Sequence, residues 1–370
     1  MKSYETVIGL EVHVQLNTLS KAFCPDPVAF GAAPNTLVSP ISLAHPGTLP
    51  RLNKEQVKKA IQLGLALGSA ISMQTDFDRK NYTYPDLPKG YQITQDHRPI
   101  CIGGVLPVRV GDTWKNIRIH HIHMEEDAGK NIHDLDPEHS LVDLNRAGTP
   151  LLEVVTEPDL RSAEEVDAFM TAMRQLVRYL DVSDGNMQEG SLRCDCNVSI
   201  REAGSTVLNE RCEIKNLNSM RFARQAVAYE VARQTAIVEA GGRVAQETLT
   251  FNPTTRETSP IRSKEDAIDY RYFPDPDLPP LQLDPNLIKS LEKQQPALPW
   301  ELHQQLTEEQ SISFEHASII TEEKGMADAF LNLCGTFENG ALAANFFIQK
   351  VRPILAEATA DFPLSSAQIM

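Results

Sequence analysis

Between Ile8 and Leu16 apolar side chains fall on every second residue (Ile8, Leu10, Val12, Val14 and Leu16), the period required by a strand with one buried face. The same reading predicts a hairpin from Val105–Val110 and Trp114–Ile119 around a Gly111-Asp112 turn. It also predicts a strand at Leu151–Thr156 and a further hairpin from Leu192–Arg201 and Thr206–Lys215. Three segments change period. Lys54–Leu67 sets Val57, Ile61 and Leu65 on one helical stripe, although Gly64 interrupts it. Ser162 and Glu165 form a capping box that opens a helix with Val166, Phe169, Met170, Met173, Val177 and Leu180 on its apolar side. A third helix runs from Ser219 to Glu239 and stops at Gly241-Gly242. Strands interrupted by a few helices, without regular alternation of the two, predict an α+β domain on a large, mostly antiparallel sheet.

Tyr270–Pro280 holds too many prolines for a helix or a central strand and is expected to be extended, an exit from the first domain. Beyond it the period is helical at Pro285–Gln294, Pro299–Glu309, Glu323–Leu333 and Gly340–Glu357, with Phe330, Leu333, Phe346, Phe347 and Val351 as apolar positions. The expected division is a sheet domain over 1–284 and a small all-α domain over 285–370.

Composition fits this picture: 370 residues, 41% apolar and 23% charged, are those of a globular chain of two domains. No apolar run reaches the ~18 residues of a membrane span, the opening residues read as a strand rather than a signal peptide, and the expected location is the cytoplasm. The six cysteines have no metal-finger spacing and read as reduced core thiols. Charge excludes one class of function. With 50 acidic against 35 basic residues and a net charge of −15, the chain as a whole is not built to grip nucleic acid, so any RNA affinity must come from a local patch or a partner.

Alternation also sorts polar residues by face. Glu11, His13 and Gln15 share the side of their strand opposite the apolar set; Arg193, Asp195, Asn197 and Ser199 do the same on theirs, as do Arg211, Glu213 and Lys215. Glu153 and Glu157 stand among apolar neighbours, and Glu125, Glu126 and Asp127 follow closely on His123. Carboxylates packed together repel unless a proton or cation intervenes, and oxygen-rich clusters with an imidazole suit Mg²⁺. A solvated sheet face and a hard-cation site both remain open on this pattern. Between Phe77 and Gln92, Arg79, Lys80 and Lys89 with Tyr82, Tyr84 and Tyr91 could meet phosphates and stack on a base, or form a proline-bent loop packed on the core. No P-loop or GxGxxG fingerprint is present.

Seven strings carry a more specific signal: VIGLEVHVQL, FDRKNYTYPDLPKGYQI, HMEEDAGK, SLVDLNRAGTPLLEVVTEPDLRS, EGSLRCDCNVSI, EIKNLNS and DYRYFPDPDLPPL. In this order they resemble the B subunits of bacterial tRNA-dependent amidotransferases. The resemblance implies a cradle-shaped kinase domain that uses ATP and Mg²⁺ to phosphorylate the side-chain carboxylate of Glu-tRNA(Gln) or Asp-tRNA(Asn). It implies a heterotrimer as well, in which a partner amidase (glutaminase) supplies ammonia from glutamine through a channel and a small third protein clamps the assembly. The family's metal positions fall on Glu11, His13, Glu126, Glu153 and Asp195; Glu126, Asp195 and Lys215 are the expected catalytic residues. Arg79, Lys80, Tyr82, Arg193 and Asn197 are the expected contacts to ATP or the tRNA end. Where many relatives have four zinc-binding cysteines this chain has Cys24, Asp26, Ser39 and Ser42, so no zinc is expected and packing must hold the segment. The resemblance further implies that family chains continue past residue 370 into more helical domain and a tail domain that grips tRNA.

Overall fold

The protein was analysed as a computed structural model that describes residues 3–133, 135–263, 269–334, 337 and 339–357. Its first half runs β1 (Tyr4–Gln15), α1 (Lys54–Ala66), β2 (Ala70–Ile71), β3 (Gln74–Thr75), β4 (Asp78–Asn81), β5 (Tyr91–Thr94), β6 (Cys101–Ile102), β7 (Val105–Val110), β8 (Thr113–Glu126), β9 (Lys130–Ile132), β10 (Leu141–Asp143), β11 (Pro150–Thr156) and α2 (Ala163–Tyr179). There follow β12 (Leu192–Glu202), β13 (Cys212–Leu217), α3 (Met220–Glu239), β14 (Glu247–Asn252), β15 (Glu257–Ser263), β16 (Phe273–Pro274) and β17 (Leu281–Gln282). The chain then becomes helical: α4 (Pro285–Gln294), α5 (Pro299–Glu308), α6 (Phe314–Ile320), α7 (Lys324–Cys334), α8 (Gly340–Phe346), a π turn over Phe347–Val351, and α9 (Arg352–Glu357).

The principal sheet has the order β15-β14-β13-β12-β1-β11-β8-β6-β2, with β7 also paired to β8. It is antiparallel except where β13 meets β14. β1 is central because both of its edges are occupied, by β11 and β12, and its alternate residues Ile8, Leu10, Val12 and Val14 are fully buried. Helices α1, α2 and α3 join these residues in one core. The side chain of Asn53 accepts the amide of Glu55 at the start of α1, and Ser162 accepts that of Glu165 at the start of α2. Gly64, an interruption of the apolar stripe of α1, is a contact requirement: a Cβ there would collide with Cys101 Sγ, so glycine lets the helix reach β6.

Tyr270–Pro280 holds no helix: its Phe273–Pro274 is a strand paired with β4, which pairs with β5 in a small separate sheet, and a turn follows at Asp275–Leu278. The helical region departs from the sequence reading in three respects. Leu291 of α4 and Leu298 belong to the core of the sheet domain, and a second core begins at Leu306 and gathers Ile312, Ala317, Ile320, Phe330, Leu333, Phe347 and Val351. Helix α6, unmarked by a clear apolar period, lies between α5 and α7. The expected helix Gly340–Glu357 is helical throughout but holds a π turn, where the amide of Arg352 reaches Phe347 O, beside Pro353, which has no amide to continue the ladder. Two donors from α2, Gln175 Nε2 at 2.5 Å and Tyr179 OH at 2.6 Å, converge on Thr321 O and fasten the helical region to the sheet domain.

Candidate functional site

Pairing register turns the polar alternation of β1 into a site. His13 lies opposite Glu153 of β11 on one side and Arg193 of β12 on the other, and Glu153 lies opposite His123 of β8. Four strands thus line up His123, Glu153, His13 and Arg193 in one rank. In the next rank Glu11 faces Asp195. Three glutamines pin the end of β8: Gln56 donates to Glu125 O at 2.8 Å, Gln92 donates to Glu126 O at 2.7 Å, and Gln95 accepts the amide of Met124 at 3.0 Å.

Among the described residues, two groups of side chains come close enough to share a cation. The first is His13, Glu125 and Glu153: His13 Nε2 is 3.4 Å from Glu153 and 3.6 Å from Glu125. His123 Nε2 faces the same carboxylates at 3.3 Å from Glu153 and 3.6 Å from Glu125. The second is Glu11, Asp195 and Glu213. Asn197 donates to Glu11 at 2.9 Å, and Lys215 Nζ is 2.8 Å from Glu213 and 3.6 Å from Asp195.

The carboxylates and imidazoles of this cluster shift one another's titration. Burial alone would lower the pKa of His123, but the Glu153 charge and hydrogen bonds to Glu125 and Glu153 raise it to about 10. His13 is raised for the same reason against the same opposing burial. Burial likewise works against the Glu153 carboxylate, yet the two imidazoles hold it well below the usual carboxylate range. Burial pushes Glu11 up, aided by the charges of Glu153 and Glu213. These oxygen-rich donors with imidazole nitrogens fit Mg²⁺, which would take the place of the histidine protons.

Cationic groups border the cluster. Arg193 Nη2 donates to Asp127 at 2.8 Å, and Lys80 of β4 sits with its Nζ 4.8 Å from the Tyr270 ring centroid. Burial opposes the Lys80 charge, but Glu125, Glu153 and the neighbouring phenols raise its pKa. Tyr82 packs edge-on against Tyr270, and burial raises its phenol.

Of the residues singled out in the sequence, Glu11, His13, Glu153, Asp195, Arg193, Asn197, Lys215, Lys80 and Tyr82 are gathered here; two are not. Glu126 leaves this face. It ion-pairs with Lys89, accepts the amide of Ile93 at 3.1 Å, and helps line a separate cavity of about 200 Å³ with Phe23, Cys24, Ser42 and Tyr91. Glu125 stands in the cluster instead, because strand alternation puts residues 123 and 125, not 126, on one side. Counting by twos from His123 would have found it. Arg79 is also committed elsewhere: it binds Asp275 at 3.0 Å and Asp277 at 2.8 Å and lies over the Tyr91 ring, tying β4 to the proline-rich segment.

The segment around Cys24 is fastened by more than packing. Asp26 Oδ2 accepts the Ser39 amide at 2.9 Å and the Ser42 hydroxyl at 2.5 Å. Burial pushes the Cys24 thiol up to about 11. One such thiol, one carboxylate and two hydroxyls are a poor donor set for structural zinc.

Residues 6–289 match the family described as the GatB/GatE catalytic domain. The chain belongs to that family of amidotransferase B subunits. It is 52% identical over 330 residues to the B subunit of an aspartyl/glutamyl-tRNA(Asn/Gln) amidotransferase from an Anaeromyxobacter species, a match covering 89% of this chain and 68% of that protein. Proteins of the same name from Myxococcus xanthus and Pseudomonas aeruginosa are 48% and 47% identical, over 96% and 99% of this chain and 74% and 77% of theirs. The part matched to the catalytic-domain family contains both carboxylate clusters and ends within α4, the helix that shares the sheet domain's core.

Proposed function

We propose that the cluster on β1, β8, β11, β12 and β13 binds Mg²⁺ and the phosphates of ATP, and that this chain activates the side-chain carboxylate of a misacylated Glu-tRNA(Gln) or Asp-tRNA(Asn) for amidation. The observation that carries this reading is the convergence of His13, Glu125 and Glu153, beside Glu11, Asp195 and Glu213, on one face bordered by Lys80, Arg193 and Lys215. Bound there, Mg²⁺ and ATP would supply a phosphoryl group whose developing charge the metal neutralises. His13, Glu125 and Glu153 would hold one cation, and Glu11, Asp195 and Glu213 offer room for a second. Lys215, steadied by Glu213, and Lys80 offer point charges to phosphate oxygens, while Arg193 offers the guanidinium edge not taken by Asp127. Asn197 keeps Glu11 turned toward Asp195. Ammonia would come from a partner amidase, with a small third protein completing the heterotrimer, and tRNA affinity would rest largely on parts outside this acidic chain.

The test is ATP-dependent amide formation on Glu-tRNA(Gln) with Mg²⁺ and free ammonium, using the chain assembled with its amidase and its small third partner. Glu153→Gln should reduce the rate by about 100-fold or more without loss of assembly. Full activity in that variant would favour a second role, a tRNA-positioning scaffold that does no chemistry of its own.

A further inference from the structure

The function proposed above gives no role to the three histidines of β8. His120 and His121 precede His123 on β8 and form with it an unbroken run of ring contacts. His120 Nδ1 is 2.7 Å from His121 Nδ1, and His121 Nε2 is 3.1 Å from His123 Nδ1. The rings of His121 and His123 stack at 5.2 Å and 20°, and His120 meets His121 edge-on at 4.9 Å. Neighbouring residues of a regular strand point to opposite faces, so this run needs a break in the strand. The break is present: Val155 pairs with His121 but Thr156 pairs with Ile119, leaving His120 as the extra residue of a bulge. The bulge brings His120 to His121, and His121 lies two residues from His123 on the same side.

We propose that His121 is a positioning residue whose Nε2 accepts the Nδ1 proton of His123, so that His123 Nε2 points a free lone pair between Glu125 and Glu153 as a further cation ligand. The inference rests on reading the cluster as a cation site. Each contact in the run needs one donor and one acceptor. With His121 Nε2 accepting, its own proton lies on Nδ1 and is donated to His120 Nδ1, leaving the His120 proton on Nε2 at the exposed end of the run. Every ring nitrogen is then assigned a role consistent with its neighbour. In the reverse order His123 would carry its proton on Nε2, donate to Glu153, and be lost as a ligand. Outer-shell acceptors of this kind typically set both the tautomer and the orientation of a ligating imidazole.

The test uses the full chain with two substitutions. His121→Phe keeps the stacked ring but removes the acceptor; His121→Asn removes the ring but keeps an acceptor. Mn²⁺ affinity is read by electron paramagnetic resonance, and the His123 tautomer by ¹⁵N spectra of histidine-labelled protein with Mg²⁺. The expected result is affinity weakened about 10-fold or more in the Phe variant, with the His123 proton on Nε2, and near-wild-type affinity in the Asn variant. A ring needed only for stacking would give the opposite order and overturn the proposal, as would a His123 tautomer unchanged in the Phe variant. Should the Phe variant fail to fold, His121→Leu set against His121→Asn compares no acceptor with an acceptor, both without the ring. Wild-type protein that binds no Mn²⁺ would instead overturn the cation reading itself, and this inference with it.

Discussion

Glu153 touches both imidazoles of the cluster, and the pH response of the protein should follow from that pairing. Without a cation, His13 and His123 are protonated more readily in the fold than in the unfolded chain. A raised histidine stabilises fully below its ordinary pKa of about 6.5, and the contribution disappears as pH climbs through the folded value, about 10 for His123. Melting temperatures in EDTA should therefore fall over that interval, and Mg²⁺ should flatten the decline by replacing the protons. A flat profile in EDTA would contradict the pairing. Mg²⁺ affinity should rise with pH over the same range, read by calorimetry in buffers of different ionisation heat. Arg79 makes a different kind of prediction. Asp275 is buried beneath it, so Arg79→Ala strands a carboxylate and should cost about 3 kcal/mol in urea unfolding, with Arg79→Lys recovering part.

At the scale of elements, α1 is held close to the sheet by the absence of a side chain at position 64. Gly64→Ala should destabilise by about 1–3 kcal/mol, because the new methyl meets Cys101 Sγ and Ile71 together. Adding Cys101→Ala should recover part of that loss, a coupling visible in a denaturant double-mutant cycle. Elements of this kind were mostly legible in the sequence. The period-two run of β1, the cap at Ser162 and the Gly111-Asp112 turn are local signals, and local signals survive without knowledge of neighbours. β13 is less so: of the expected Thr206–Lys215 only Cys212–Lys215 is strand, and it runs on to Leu217. Register is not local. Nothing in one dimension says that Glu153 sits between His13 and His123, or that a bulge at His120 re-aims a ring. Glu125 lies between these cases, since alternation along β8 puts it on the side of His123, while the residue expected from the resemblance, Glu126, faces the other way.

Over the whole molecule, the two larger cores are linked by a small cluster in which Tyr179 of α2 packs with Leu302 and Ala327. The second core, around Phe330 and Phe347, lies in the helices beyond Leu306, so its loss should be felt there first. Phe347→Ala should cost that core about 3–5 kcal/mol and speed amide exchange in α6 to α8 while β1 and β12 stay protected. Uniform acceleration across both regions would mean that they unfold as one. No described helix is long and apolar enough to cross a membrane. The domain boundary was harder to read than either core, because α4 has the period of the helical region and the packing of the sheet domain.

The turn at Ser39–Ser42 hangs from one oxygen atom, Oδ2 of Asp26. In mechanical terms this is a tether whose next attachment lies two residues back, where the Leu37 amide donates to Asn145 Oδ1 at 2.9 Å. When that oxygen lets go, the turn can swing about the Leu37 anchor, and the wall that Ile41 and Ser42 give to the neighbouring cavity moves with it. Molecules reaching Lys89 and Glu126 by this route would be timed by one loop's opening rate rather than by unfolding. The Ser39 amide should report that rate in hydrogen exchange, and Asp26→Asn should raise it while leaving exchange in β1 unchanged.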